Sequence, residues 1–143
     1  MDARQLTKAL QSLAASAAFA LAAAASPAAA QPDALLGQWE NPKHSMVVDV
    51  SRCNADNYCA VVIKASAKAQ ANARKGGTDH FIGTEILRVR DSGGSTFKGT
   101  AFDPESNMHV SATVRMVGPG VMEMRGCALL GLVCEEQRWT KVN

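Results

Sequence analysis

The sequence predicts an all-β protein, an antiparallel up-and-down barrel of eight strands that follows an N-terminal signal peptide. Eight short segments rich in β-branched and apolar residues succeed one another, and clusters of Gly, Pro, Asn, Asp and Ser separate them. One segment, Met108–Val117, alternates apolar and polar residues along its whole length, as a strand with one wet face does. Strands joined in sequence order by tight turns close most simply into a barrel, which removes exposed strand edges. A two-sheet sandwich is the alternative architecture.

The N-terminal segment has the three parts of a cleavable export signal. Arg4 and Lys8 give it a positive beginning, Leu13–Ala25 is uncharged, and Ala28–Ala30 supply the small residues that a signal peptidase requires. The uncharged stretch is shorter than the roughly 20 apolar residues of a membrane span. We therefore expect cleavage near Ala30 and a periplasmic or secreted protein, with no membrane span in the mature chain.

Composition bounds the remainder of the chain. In this interpretation residues 1–30 are the signal peptide and residues 31–143 form a single β-barrel domain. The chain has 143 residues and a formal net charge of +2. Such a balance gives no electrostatic reason to expect nucleic acid or an anionic membrane as a partner. No particular protein partner is indicated by the sequence.

The first half of the mature chain contains three expected strands and one alanine-rich segment of different composition. The strands are Leu36–Asn41, Met46–Arg52 and Tyr58–Lys64. The second and third form a hairpin whose ends carry Cys53 and Cys59. This segment, Ser66–Gly77, is alanine-rich and polar, which is typical of a short helix or a mobile loop. A lid over a cavity is the alternative of functional interest.

The second half contains the other five expected strands. These are Thr84–Asp91, Thr96–Asp103, Met108–Val117, Val121–Arg125 and Glu136–Val142. The alternation in the third of them places a set of apolar side chains on one face of the sheet. This set is Met108, Val110, Ala112, Val114 and Met116.

The cysteines suit an oxidising compartment. Cys53 and Cys59 bracket one turn-like segment and Cys127 and Cys134 bracket another, so two local disulfides are favoured over the crossed pairings. A zinc site with the four cysteines as ligands is disfavoured, because zinc sites usually pair cysteines separated by roughly two to four residues. With both bridges formed, no thiol is left as a nucleophile.

An ordered set of short motifs resembles a known family. The motifs are Gly37-Gln38-Trp39, the Cys53/Cys59 pair, Gly99–Pro104, Arg125-Gly126-Cys127, Cys134 and Gln137–Thr140. In this order and spacing, residues 35–143 are similar to the exported bacterial "domain of unknown function" family 2147. The resemblance implies a lipocalin-like β-barrel and implies no established activity. Members of the family usually carry an Asp and an Asn-Pro in the middle loop, whereas Ala69–Thr78 contains neither.

No catalytic chemistry is indicated, and we expect that the protein is not an enzyme. The sequence contains no Gly-x-Ser-x-Gly elbow, no His-Glu-x-x-His and no phosphate-binding glycine loop. His44, His80 and His109 lie far apart and form no pair with the spacing of metal ligands. Asp103 and Glu105 belong to a turn in which Asp and Pro are favoured for backbone reasons. We therefore predict no catalytic residues, no metal site and no cofactor.

The barrel interior is the candidate ligand site. The expected strands carry five methionines, and methionine adapts to irregular apolar shapes. The candidate ligand-binding residues are Met108, Val110, Val114, Met116 and Trp39. An ordinary packed core is the alternative, because the interior of an eight-stranded barrel is either just filled by side chains or holds one small ligand. A cavity of roughly 300 Å³ or more would favour the ligand.

Two further features have two interpretations each. We expect Trp39 to be structural, packed against the guanidinium of Arg138, and a contact with ligand is the alternative. The apolar loop between Cys127 and Cys134 is expected to plug one end of the barrel, with an exposed docking patch as the alternative.

The favoured function is therefore a non-catalytic binding module for a small hydrophobic ligand. The alternative is an envelope structural or protein-interaction domain with a filled core, which would dock a partner on Leu129–Val133 or on Ala69–Gly77.

Overall fold

The expected antiparallel barrel is confirmed by a computed structural model that describes residues 32–143. Each strand is hydrogen-bonded to its neighbours in sequence order, and the first and last strands pair to close the barrel. The strands are β1 (Gly37–Glu40), β2 (Met46–Arg52), β3 (Tyr58–Ala65), β4 (Glu85–Asp91), β5 (Thr96–Asp103), β6 (Met108–Gly118), β7 (Val121–Ala128) and β8 (Val133–Lys141). The expected signal peptide, residues 1–30, and its cleavage site lie outside the described residues.

Three helical segments accompany the strands, of which the shortest, the 3₁₀ turn Leu129–Gly131, lies at the tip between β7 and β8. Pro32–Leu35 is a 3₁₀ turn before β1, and α1 (Ala67–Lys75) lies between β3 and β4. The side chain of Ser66 caps α1 by accepting a hydrogen bond from the backbone N–H of Ala69 at 3.1 Å. Within residues 32–143, none of the helical segments has the length and apolarity that a bilayer-spanning helix needs.

The alanine-rich segment Ser66–Gly77 thus forms a capped helix, and hydrogen bonds join its C-terminal part to the β5–β6 turn. Asn72 Nδ2 donates to Glu105 Oε1 at 3.3 Å, and Thr78 Oγ1 donates to the Pro104 carbonyl at 3.3 Å. A side chain at Gly76 would collide with the carbonyl oxygens of that same turn. The absence of a Cβ therefore permits the close approach of the helix end to the turn.

The β7–β8 hairpin is longer than the sequence pattern indicates. Its strands continue to Ala128 and from Val133, so that Cys127 and Cys134 are register partners inside the ladder. They form one disulfide, and Cys53 and Cys59 form the other at the ends of β2 and β3. These are the two local pairs that the cysteine spacing favours.

The expectation that the Cys127–Cys134 loop plugs the barrel is wrong. Leu129, Leu130 and Leu132 are exposed, and Leu130 is fully so. The physical reason is the length of the hairpin, which carries the apolar tip beyond the rim of the barrel instead of folding it across the opening.

The opposite end of the barrel is the one that is closed. Leu35, in the 3₁₀ turn, is completely buried, and its carbonyl accepts a hydrogen bond from Trp39 Nε1 at 2.8 Å. Gln38 N donates to the carbonyl of Asn143 at 2.8 Å, which ties the C-terminus to β1. We call this the closed end, and the end with the β1–β2, β5–β6 and β7–β8 connections the open end.

The cation expected over Trp39 is a different residue. Lys141 Nζ lies 5.6 Å from the Trp39 ring centroid, whereas Arg138 is bonded to Glu123 at 3.4 Å. Since Trp139 faces inward and strand side chains alternate, Arg138 faces outward and cannot reach the interior. Glu123 also accepts from Arg115 at 3.1 Å, so an ion-pair ladder crosses β6, β7 and β8 on the outer surface.

Candidate ligand-binding site

A cavity of about 440 Å³ occupies the open half of the barrel. Its wall is mainly apolar, and its rim includes exposed polar residues of the turns. The large apolar side chains of the wall are Met46, Phe81, Ile86, Phe102, Met108, Val110, Met124, Val133 and Trp139. Small residues, Ala69, Ala101, Gly126 and Ala128, leave the space that these side chains enclose.

The closed half of the barrel is filled. Its interior is packed by Trp39, Val48, Val50, Tyr58, Val62, Phe97, Val114 and Met122, all at most a few per cent exposed. The rings of Tyr58 and Phe97 meet edge to face with centroids 5.4 Å apart. One half of this barrel therefore has a packed core and the other half has a cavity.

The alternation of β7 and β8 explains which side chains enter the cavity. Along β8, Val133, Glu135, Gln137 and Trp139 line it, while the intervening residues do not. Along β7, Met124, Gly126 and Ala128 line it in the same way. Trp139 lies deepest on this side, next to the packed half, with 2% of its surface exposed.

The structure separates the five ligand-binding candidates by depth. Met108 and Val110, at the start of β6, line the cavity. Val114, further along the same strand, is completely buried in the packed half, and Met116 packs against that core. Trp39 is also completely buried, away from the cavity. The reason is that β6 spans both halves of the barrel. The apolar face of the strand therefore lines the cavity at its beginning and joins the packed core further along.

Much of the cavity wall was not singled out by sequence reasoning. Phe81, Ile86 and Ala101 come from elements whose function the pattern leaves unassigned, and Glu135 and Gln137 precede or open the expected last strand. The available signal was the spacing of Glu135, Gln137 and Trp139 at every second residue. It indicates one face of a strand that begins before Glu136.

Polar groups are few inside the cavity and more numerous at its mouth. Half-buried Gln137 donates through Nε2 to Oε1 of exposed Glu135 at 3.1 Å along β8. Asp103 ends β5, Glu105 belongs to the β5–β6 turn, and Lys43 belongs to the β1–β2 turn. The cavity therefore combines an apolar body with a few polar groups, as small-molecule sites generally do.

One polar atom of the wall has no partner. Among the buried side-chain nitrogen and oxygen atoms of residues 32–143, Trp139 Nε1 is the one without a hydrogen-bond partner. The corresponding atom of Trp39 donates to Leu35 at 2.8 Å. A buried donor without an acceptor costs about 1–3 kcal/mol, so an acceptor that entered the cavity would gain from meeting it.

Metal-ligand clusters and free thiols are absent from the part of the chain that the structure describes. No group of three or more His, Cys, Asp or Glu side chains in residues 32–143 could hold a metal ion. The four cysteines within this range are all joined in disulfides.

Together, the closed end, the filled closed half and the apolar cavity in the open half define a small barrel of the lipocalin-like class. A solved structure described as "Protein HP1028 from the human pathogen Helicobacter pylori belongs to the lipocalin family" has the same fold, with a TM-score of 0.59. The two proteins are 13% identical, and the match covers 76% of this chain and 83% of that chain. At this identity the similarity concerns the fold.

The family is established by sequence. Residues 37–141 match the family described as "Uncharacterized protein conserved in bacteria (DUF2147)", and the chain belongs to that family. The resemblance noted from the ordered motifs is therefore confirmed. No curated protein matches the chain significantly in sequence.

Proposed function

We propose that the protein is an exported, non-catalytic binding module that holds a small hydrophobic ligand in the open half of its barrel. The observation that carries the proposal is the cavity of about 440 Å³, which lies in the range of small-molecule sites. Three methionines, Met46, Met108 and Met124, contribute to its wall. Their flexible side chains adapt to ligands of irregular shape.

Export to the periplasm or the medium is part of the proposal. Both disulfides support it, because such bridges persist in oxidising compartments. The N-terminal segment supports it independently through its charged, apolar and small-residue parts. Intact-mass analysis of the protein recovered from the periplasm should give a chain that begins at Gln31. Recovery of the full-length chain from the cytoplasm would overturn this part.

The binding function is tested by what the protein carries. Protein purified from the periplasm without detergent should retain a small molecule in native mass spectrometry, or should bind members of a panel of fatty acids, phospholipids and other amphiphiles. Ala101 lines the wall of the cavity. The variant Ala101→Phe should fill the cavity and therefore weaken ligand binding. The matched control is Thr100→Phe, the next residue of β5, which is exposed and lies outside the cavity lining.

The outcomes are distinct. Loss of binding in Ala101→Phe with retention in Thr100→Phe supports the proposal. A wild-type protein that carries nothing and binds no member of the panel contradicts it, and so does equal binding by the two variants.

A protein-interaction function is the second candidate, and the exposed tip of the β7–β8 hairpin favours it. Leu129, Leu130, Leu132 and Val133 are all more than half exposed, and clustered exposed apolar side chains commonly mark interaction sites. The variant Leu130→Asp should fold normally because this side chain has no burial to lose. If it still recovers every cross-linked envelope partner of the wild type, the tip is not a docking site.

A further inference from the structure

The charges around the cavity are of predominantly one sign. Three carboxylates line it, those of Asp103, Glu105 and Glu135, against the single ammonium of Lys43. Within the described residues, none of the three carboxylates forms an ion pair. Each accepts neutral hydrogen bonds instead: Asp103 from Glu105 N and Ser106, Glu105 from Asn72, and Glu135 from Gln137. The lining therefore carries three negative charges and one positive charge, and none of the three carboxylates is held in an ion pair.

An independent observation indicates a ligand group at the inner end. Trp139 lines the cavity, is almost completely buried, and has an indole N–H without an acceptor. Since buried donors normally have a partner, this atom suits a ligand oxygen that enters the cavity. The inner end thus offers a donor, and the outer end offers acceptors and negative charge.

We infer that the ligand is a cationic amphiphile, with a protonated amine at the carboxylates of the mouth, an apolar body along the wall, and a hydrogen-bond acceptor at Trp139 Nε1. The inference rests on the proposed binding function and specifies its ligand class. An anionic amphiphile such as a fatty acid is disfavoured, because its carboxylate would meet three like charges either at the mouth or on the way in.

Glu135 is the carboxylate that contributes most to this selection. It belongs to the inner face of β8, two residues from Gln137 and four from Trp139, whereas Asp103 is the last residue of β5 and Glu105 lies in the turn that follows. An amine bound to Glu135 would therefore leave its apolar chain directed along the same wall towards Trp139. The strand spacing of about 3.3 Å per residue places the two groups roughly 13 Å apart along β8.

Three probes of matched length test the inference by calorimetry. Decanoic acid is anionic, decylamine is cationic, and methyl 8-aminooctanoate is cationic with an ester acceptor at the far end. We expect both amines to bind at least about tenfold more tightly than decanoic acid. The ester should bind about threefold to tenfold more tightly than decylamine, because it supplies the missing acceptor.

Variants separate the two polar contacts. Glu135→Gln should weaken both amines about threefold to tenfold. Its control, Glu136→Gln, removes the same charge from the neighbouring residue, which lies outside the cavity lining, and should change affinity less than about twofold. Trp139→Phe should abolish the preference for the ester over decylamine.

A spectroscopic readout tests the inner contact in the wild-type protein. The chain has two tryptophans, so a proton–nitrogen correlation spectrum should contain two indole N–H signals, which single Trp→Phe variants assign. Addition of the ester should shift the Trp139 signal and leave that of Trp39 in place, because Trp39 already donates to Leu35. An unmoved Trp139 signal at saturation would overturn the inner contact.

Failure of this inference differs from failure of the proposed function. If decanoic acid binds as tightly as the amines, the cavity is a binding site and the cationic preference is wrong. If no probe of any charge binds and the protein carries no molecule, the proposed function itself is wrong.

Discussion

At the scale of single residues, two buried tryptophans have different roles. Trp39 is enclosed at the closed end, with its N–H bonded to Leu35 and the ammonium of Lys141 over its ring. Trp139 borders the cavity with its N–H unpaired. The sequence places both in short strands and cannot distinguish them. The difference comes from the 3₁₀ turn, whose carbonyl reaches only the first.

This difference predicts unequal costs for the same substitution. Trp39→Phe removes a satisfied hydrogen bond and buried volume, and leaves the Leu35 carbonyl unpaired. It should lower the free energy of unfolding by about 2–4 kcal/mol. Trp139→Phe removes a similar volume, but it also removes an unsatisfied donor, so the loss should be at least about 1 kcal/mol smaller. Urea unfolding measures both, and an equal or reversed order would contradict the role given to Trp39.

At the scale of elements, sequence periodicity predicted the strands well where alternation is uninterrupted, as in Met108–Val117. It failed at the β7–β8 hairpin, because the apolar run after Cys127 hides the alternation that continues through Glu135 and Gln137. The disulfide between register partners keeps the two strands paired there. Periodicity also gives the face of a side chain and not its depth. Val110 and Val114 share a face, yet one lines the cavity and the other is in the packed core.

The contact between α1 and the β5–β6 turn predicts the effect of one methyl group. In Gly76→Ala the new Cβ would collide with the carbonyl oxygens of Pro104 and Glu105, which must move to accommodate it. We expect a loss of about 1–3 kcal/mol in unfolding free energy and faster hydrogen exchange across α1. Gly118→Ala is the control, because nothing lies within 4 Å of the added Cβ. Similar losses in the two variants would show that the close approach at Gly76 is not what holds the helix.

At the scale of the whole molecule, the two ends of the barrel differ in packing. The closed half has a packed core, an edge-to-face aromatic pair and a C-terminus tied to β1. The open half has a cavity, a helix fastened by a few polar contacts, and an exposed apolar tip. Strand number and length predicted that a core or a cavity was possible. The choice depends on which large side chains from different strands meet at each level, which one strand's pattern does not contain.

The two disulfides provide a test of this division, because they close loops of similar length at opposite ends. Their sequence separations are 6 and 7, so loss of either should cost a similar amount, about 2–3 kcal/mol, through the entropy of the unfolded chain. The native states should nevertheless respond differently. Replacing Cys127 and Cys134 by Ser should accelerate hydrogen exchange around Ala128 and Val133, at the cavity mouth, because few packed side chains hold that hairpin end.

Replacing Cys53 and Cys59 by Ser should instead leave exchange at the cavity mouth unchanged, because the hairpin that they join lies at the packed end. There Tyr58 contacts Phe97, and the guanidinium of Arg52 lies 4.7 Å from the ring centroid of Tyr58. Side-chain packing therefore holds the strands together without the bridge. Exchange measured by mass spectrometry on both variants compares the two ends directly. If the mouth loosens equally in both, the halves of the barrel are coupled, and the packed end does not act as an independent support for the cavity.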